Sequence, residues 1–307
     1  MAELRAGDAS AVVDGSRAAE GPAPALGKFD RDTAVWRETD AGTETVFGAQ
    51  VAPDWRAGRG PHGGYLAAML LRALTESVAD GERAPRSLTI HYARAPEPGP
   101  VSIRTSIERE GRSLSTLSAR MLQGETLIAL ALGAFSVPWS GPEISTATMP
   151  TVDPPDPARE GVKLIERGGP EFARHLVLQP RVGGTLFAGG EQPMEIGCWI
   201  GLAEPRVTDP LSLAFFSDAL IPAPYMRMAE PVTVPTIDLT VHFLTHTPRP
   251  ASADGGEPDP RELCLAVTRT KLIHEGFFVE DGAIWAPDGA LLAQSRQLAI
   301  VIPFATR

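Results

Sequence analysis

Asp218 is the one acid in the run LSLAFFSDAL, which is otherwise apolar apart from its serines. Poor solvation disfavours an ionised carboxylate, raises its pKa and makes it a better base once ionised. The alternative is an acid at a helix end that faces water, because Pro222 stops the helix soon after. Gln297, in LLAQSRQLAIVI, puts a polar amide into an apolar strand. A buried amide has to find partners. It either serves a site or satisfies backbone at a sheet edge. Gly63 and Gly64 follow His62 in PHGGYLAAML, directly ahead of strong helix formers. A helix that begins on bare glycine leaves N–H groups free to face a negatively charged oxygen. Close packing of a strand against the helix would call for the same glycines. His62 either lines such a site or belongs to the turn. An acid facing open amides suits water activation beside an oxyanion site.

The elements that must bring these residues together come in two copies. SLTIHY (Ser87 to Tyr92) matches DLTVHF (Asp238 to Phe243) at an offset of 151 residues. GRSLSTLSARMLQGETLIALALGAFSV from Gly111 aligns without a gap on GFFVEDGAIWAPDGALLAQSRQLAIVI from Gly276, at an offset of 165 that sets Gly124 on Gly289. AMLLRAL from Ala68 matches AFFSDAL from Ala214 at 146. The offsets drift only at loops, notably PRPASADGGEPDPRE, so the chain reads as a duplication of one domain rather than a solenoid.

Within a copy, YLAAMLLRALTESV is a helix apolar nearly all round, and therefore buried. TETVFGAQV and VSIRTSIER read as strands, and TLIALALGAFSV joins them because its partner QLAIVI is β-branched. EREGR and LQGET mark tight turns. The second copy repeats the order with EIGCWIGL, a helix around Leu211 to Leu220, and strands from Thr236 onward. The expected architecture is α+β, each copy a long central helix wrapped by an antiparallel β-sheet. The expected boundaries are a disordered tail over 1–27, a first domain over 28–137, a Pro-rich linker over 138–160 and a second domain over 161–307.

The copies differ in a complementary way. Arg72 stands where the second copy has Asp218, and Leu132 aligns on Gln297. His62-Gly63-Gly64 is matched by Asp209-Pro210-Leu211, in which Asp209 is a natural N-cap and Pro210 a natural first helical residue. One helix start is thus closed by its own side chain and the other is open. Alternation along strand TIDLTVHF sets Thr236 on a face with Asp238, Thr240 and His242. His91 and His242 hold equivalent positions, which suits a role in the fold, and Asp238 is a reserve acid. Arg59 is a candidate phosphate contact or a solvated arginine.

PHGGYLAAML, the GRS turn, SDAL, PTIDLTVHF and AQSRQLAI together resemble the acyl-CoA thioesterase family with tandem, or double, hotdog domains, over almost everything from Phe29 to Ile302. The resemblance implies hydrolysis of an acyl-CoA or related acyl thioester. It implies a water activated by Asp218, Thr236 and Gln297, with Gly63, Gly64 and His62 on the substrate or oxyanion side. No metal and no cofactor beyond the coenzyme A thioester substrate is expected, and a homo-oligomer is plausible. The sequence departs from the family at His242, where a bulky aromatic is common, and in the loop from Arg249 to Glu262.

Composition narrows the remaining classes. Net charge is −10 with pI near 5.2, which argues against broad nucleic-acid or anionic-membrane binding. No apolar run is long enough for a membrane span, and the N-terminus lacks a signal-peptide core, so a cytoplasmic protein is expected. The two cysteines, Cys198 and Cys264, read as reduced structural thiols. No GxSxG elbow is found, which disfavours a serine hydrolase. The rivals are a double hotdog enoyl-CoA hydratase or dehydratase, whose Asp/His motif is not found in this sequence, and a non-catalytic acyl-thioester-binding protein.

Overall fold

The computed structural model describes residues 26–58, 60–230, 232–250 and 255–303. The tail expected over 1–27 lies outside the described residues except for Leu26 and Gly27, and so does Arg59. A short helix α1 (Lys28–Asp32) leads into β1 (Val35–Ala41), β2 (Glu44–Val51) and helix α2 (Gly63–Val78). Four strands follow: β3 (Ala84–Tyr92), β4 (Gly99–Glu110), β5 (Leu114–Gln123) and β6 (Thr126–Ser136). The second half repeats this order with β7 (Leu176–Val182), β8 (Glu195–Leu202), α3 (Pro210–Phe216), β9 (Thr236–Phe243), β10 (Cys264–His274), β11 (Phe277–Trp285) and β12 (Leu291–Ile300).

These twelve strands form one antiparallel sheet, in the order β1-β2-β4-β5-β6-β3-β9-β12-β11-β10-β8-β7. The strand order of one half mirrors that of the other about the β3–β9 junction. There Thr89 faces Thr240, the equivalent residue of the second copy, with hydroxyl oxygens 3.1 Å apart. The duplication read from SLTIHY and DLTVHF is therefore a structural pseudo-dyad. Gly124 and Gly289, both at positive φ, make the corresponding β5–β6 and β11–β12 turns.

α2 touches β1 to β6 and also α3, so the sheet curves around it. Its residues from Gly64 to Leu71 are all buried, as the all-round apolar pattern requires. Burying one of its leucines contributes about 2 kcal/mol. The second helix is a correction to expectation. α3 ends at Phe216 rather than near Leu220, and a separate 3-10 turn over Ala223–Met226 packs against β8 and β10. Pro222 and Pro224 in the following IPAP stretch cannot continue the ladder. The Pro-rich stretch 138–160 forms no helix or strand. Met149 and Val152 from it pack on Trp199, Leu265 and Trp285, on the sheet face turned away from the main core.

Candidate active site

Asp218 sits just past α3, in the turn that follows its C-cap Ser217. Its carboxylate reaches across to the other half, where the Gly64 N–H donates to Oδ2 at 2.9 Å. The side chain is 11% exposed, which excludes the water-facing alternative. A Cβ on Gly63 would lie 2.7 Å from that same oxygen, and one on Gly64 would lie 2.5 Å from the Phe215 carbonyl oxygen. Both glycines are therefore needed for the close approach of α2 to α3 and to the acid. Tyr92 completes this corner by donating its hydroxyl to the Gly63 carbonyl at 2.9 Å.

His62 is the N-cap of α2. Its Nδ1 accepts from the Tyr65 N–H at 3.3 Å, so the ring proton is on Nε2, which donates to the Asp218 backbone carbonyl at 2.9 Å. Burial holds its pKa below the ordinary value, against the pull of Asp218. The expectation of a bare helix start is corrected on two counts. His62 closes one amide and Asp218 itself occupies the Gly64 amide, because a buried N–H does not remain unpaired where an acceptor can reach it. At the other helix the expectation holds: Asp209 caps Ser212 N–H at 2.9 Å with Pro210 next in line.

Thr236 Oγ1 lies 3.1 Å from Gln297 Oε1 and 3.5 Å from Asp218 Oδ1. Simple alternation sets Thr236 on the face of Asp238, and this is corrected. Thr236 pairs with Ala299 and Asp238 with the adjacent Leu298, so Ile237 has no partner and a β-bulge forms there. One extra residue flips the side-chain parity. Thr236 is thereby turned to the inner face, with Leu239 and Gln297. The first half carries the same irregularity between Pro85 and Ser87.

Gln297 is buried and its Nε2 donates to Glu280 Oε1 at 3.0 Å. It is not at a sheet edge. Its alignment on Leu132 is also corrected. Leu239 pairs with Gln297, whereas the equivalent Leu88 pairs with Gly133. Leu122 pairs with Leu127 at the β5–β6 turn, and the equivalent pair at the β11–β12 turn, Trp285 with Leu291, is one residue further apart, so an ungapped alignment is one residue out in the last strand. Leu132 is in fact 54% exposed on the outer face.

Glu280 is a site residue that the sequence motifs do not single out. It lies 3% exposed beside Gln297, accepts from the Ala223 N–H at 2.7 Å, and has Thr270 Oγ1 at 3.4 Å. The available signal was its place in FFVEDGAIW, in period-2 register with the buried Phe278 and Ile284. Burial raises the Asp218 carboxyl above the usual range, with the Gly64 N–H acting the other way. Burial pushes Glu280 up to about 7.

The structure leaves the remaining candidates elsewhere. Asp238 accepts from the Leu298 N–H at 3.3 Å and clasps the bulge. His91 and His242 are exposed on the outer face of the sheet. Arg72 does not mirror Asp218 at a second site. It binds Asp30 at 2.8 Å, and Asp30 in turn binds Arg206, which holds Asp209 at the start of α3.

Comparison with known proteins gives the family of the chain. Residues 51–136 match the acyl-CoA thioesterase N-terminal domain, and residues 147–301 match the acyl-CoA thioesterase C-terminal domain. An uncharacterized protein of Mycobacterium tuberculosis is 27% identical, over 83% of this chain and 91% of its own length. A hot dog fold protein of unknown function from Alicyclobacillus acidocaldarius superposes with a TM-score of 0.75 at 25% identity, covering 91% of this chain and 100% of that one. An acyl-CoA thioesterase II from Mycobacterium marinum superposes with a TM-score of 0.68 at 16% identity, covering 90% and 99%, and so shares the fold. With both domain types matched in order along most of its length, the chain belongs to the acyl-CoA thioesterase family of tandem hotdog proteins.

Proposed function

We propose that this protein hydrolyses an acyl-CoA, or a closely related acyl thioester, with Asp218 as general base and no cofactor beyond the substrate's own thiol carrier. The observation that carries the reading is the buried Asp218 carboxylate of one half seated on the Gly64 N–H of the other, with Thr236 and Gln297 beside it. A raised carboxyl pKa suits a base that must take a proton from water.

In the proposed reaction, water donates one hydrogen to Asp218 Oδ1 and the other to Thr236 Oγ1, which turns its lone pair toward the thioester carbon. Attack forms the C–O bond as Asp218 takes the proton. The tetrahedral oxyanion forms near the start of α2, the positive end of the helix. Once Asp218 is protonated its hold on the Gly64 N–H weakens, and that amide becomes available to the oxyanion. Collapse breaks the C–S bond, the thiolate leaves, and the proton on Asp218 is returned, giving acid and thiol.

The test is thiol release from a panel of acyl-CoA esters. Asp218→Asn should abolish turnover while circular dichroism and CoA-analogue affinity stay at wild-type values. An active Asp218→Asn protein removes Asp218 as base, and binding without turnover by the wild type makes this a binding protein.

A further inference from the structure

A row of buried polar side chains crosses the second half of the sheet and has no counterpart in the first. From Leu239 on β9, the cross-strand register runs through Gln297, Glu280 and Thr270. From the equivalent Leu88 on β3, it runs through Gly133, Leu117 and Ile107. Two apolar side chains and a glycine thus stand where the second half has a hydroxyl, a carboxylate and an amide. Apolar residues suit that place in the fold, and an unpaired buried carboxylate is costly there. The polar row therefore calls for a reason other than packing.

Hydrogen-bond direction supplies one. Ala223 N–H can only donate, and it donates to Glu280 Oε2. The other oxygen, Oε1, faces Gln297. When Glu280 is ionised, Oε1 must receive a hydrogen, so the Gln297 amide is held with Nε2 toward Glu280 and Oε1 toward Thr236. Thr236 has a single hydroxyl proton, and it then goes to Gln297 Oε1 at 3.1 Å rather than to Asp218 Oδ1 at 3.5 Å. Asp218 Oδ1 and the Thr236 lone pair are both left as acceptors, which is what an attacking water needs.

We propose that Glu280 is a positioning residue for the hydrolysis, setting the direction of the chain Thr236→Gln297→Glu280 so that Asp218 keeps a free basic oxygen. A proton placed on Oε1 reverses every link: Glu280 donates to the Gln297 oxygen, the Gln297 NH₂ donates to Thr236, and Thr236 donates to Asp218. The base is then capped. The charged group that faces Glu280 is Asp218. β10, β12 and the 223–226 turn present Thr270, Gln297 and a backbone amide, none of which titrates. Burial pushes the Glu280 carboxyl up to about 7, so the reversal falls in an ordinary assay range.

This inference rests on the thioesterase reading, and the experiment separates the two. Thiol release is followed from about pH 5 to pH 9 for wild type, Glu280→Gln and the double variant Glu280→Gln/Gln297→Glu. In Glu280→Gln the new amide must turn its oxygen to the Ala223 N–H, so its NH₂ faces Gln297 and the chain is locked in reverse. We expect kcat to fall about ten- to a hundredfold with KM within about twofold, and the step near pH 7 to vanish. In the double variant the new carboxylate at 297 again accepts from Thr236, and kcat above pH 8 should recover by about fivefold or more over the single variant. A folded Glu280→Gln protein with wild-type kcat and pH profile overturns the proposal, as does a double variant no better than the single. The wild type gives a measure that needs no variant. Its kcat should drop by about ten- to a hundredfold through a step near pH 7, the same factor that Glu280→Gln costs above pH 8, and a wild type without that step overturns the proposal. A wild type that releases no thiol from any ester instead overturns the thioesterase reading on which it depends.

Discussion

Replacing Glu280 by Gln should make folding stability less dependent on pH, by an amount the buried carboxyl sets. Its pKa rises from an ordinary 4.5 to about 7 in the fold, chiefly through burial. Below 4.5 the carboxyl is protonated in both folded and unfolded chains and contributes nothing. Between 4.5 and 7 the unfolded chain gives up the proton while the folded one keeps it, so stability falls as pH rises, by about 1.4 kcal/mol for each pH unit. Above 7 the loss levels off at about 3 kcal/mol. Glutamine has the same shape and no proton to lose. Urea unfolding at pH 5 and pH 8.5, followed by tryptophan fluorescence, would measure this directly. The stability of Glu280→Gln relative to wild type should improve by about 2–3 kcal/mol between the two conditions. Any pH-independent effect of the substitution cancels in that comparison. A change below about 0.5 kcal/mol would show that the folded protein solvates this carboxylate, and would refute the argument from burial.

Thr236→Ala and Gln297→Ala should each lower kcat by about ten- to a thousandfold in the thiol-release assay with little change in KM, and silence of both would remove them from the site. Gly63→Ala would place a methyl group 2.7 Å from Asp218 Oδ2. It should cost about 1–3 kcal/mol in urea unfolding and at least tenfold in kcat. Wild-type activity for that variant would mean that Asp218 works from another position. Asp30→Ala leaves Arg72 and Arg206 without their shared carboxylate. It should cost about 2–3 kcal/mol in the same unfolding experiment, with kcat per folded molecule unchanged.

The duplication was legible because strand residues repeat as identities: the Thr89–Thr240 contact joins two positions already matched in SLTIHY and DLTVHF. Asp218 was legible because an acid set among Leu, Ala and Phe is costly to bury unless it has work to do. Three things were hidden, each for a physical reason. The orientation of Thr236 depends on a bulge, and a bulge changes parity without changing composition. The partner of Gln297 in the first half depends on the lengths of two turns, which shift register by one residue. The occupied state of the α2 start depends on a contact between residues 154 positions apart, Gly64 and Asp218. Glu280 is within reach of period-2 reading, but aligning its strand on GRSLSTL draws the eye to the repeat and away from the strand's own inward face.

The divergence of the two halves accounts for how one fold tolerates so much buried polarity. At the first-half position equivalent to the polar row, Gly133, Leu117 and Ile107 pack without a hydrogen-bonding side chain. Around the start of α3, the place that mirrors the Asp218 corner, Arg206, Asp30, Asp209 and Arg72 form a closed ionic cluster with its charges paired. Neither region leaves a carboxylate without a cation, whereas the second-half row and the α2 start hold two, Asp218 and Glu280. Two uncompensated carboxylates destabilise the folded chain most when both are ionised, which is also the state the proposed hydrolysis requires. Stability and activity should therefore move in opposite directions as pH rises through the titration of this pair, and the well-packed first half, with α2 buried at its centre, is what allows the second to carry that conflict.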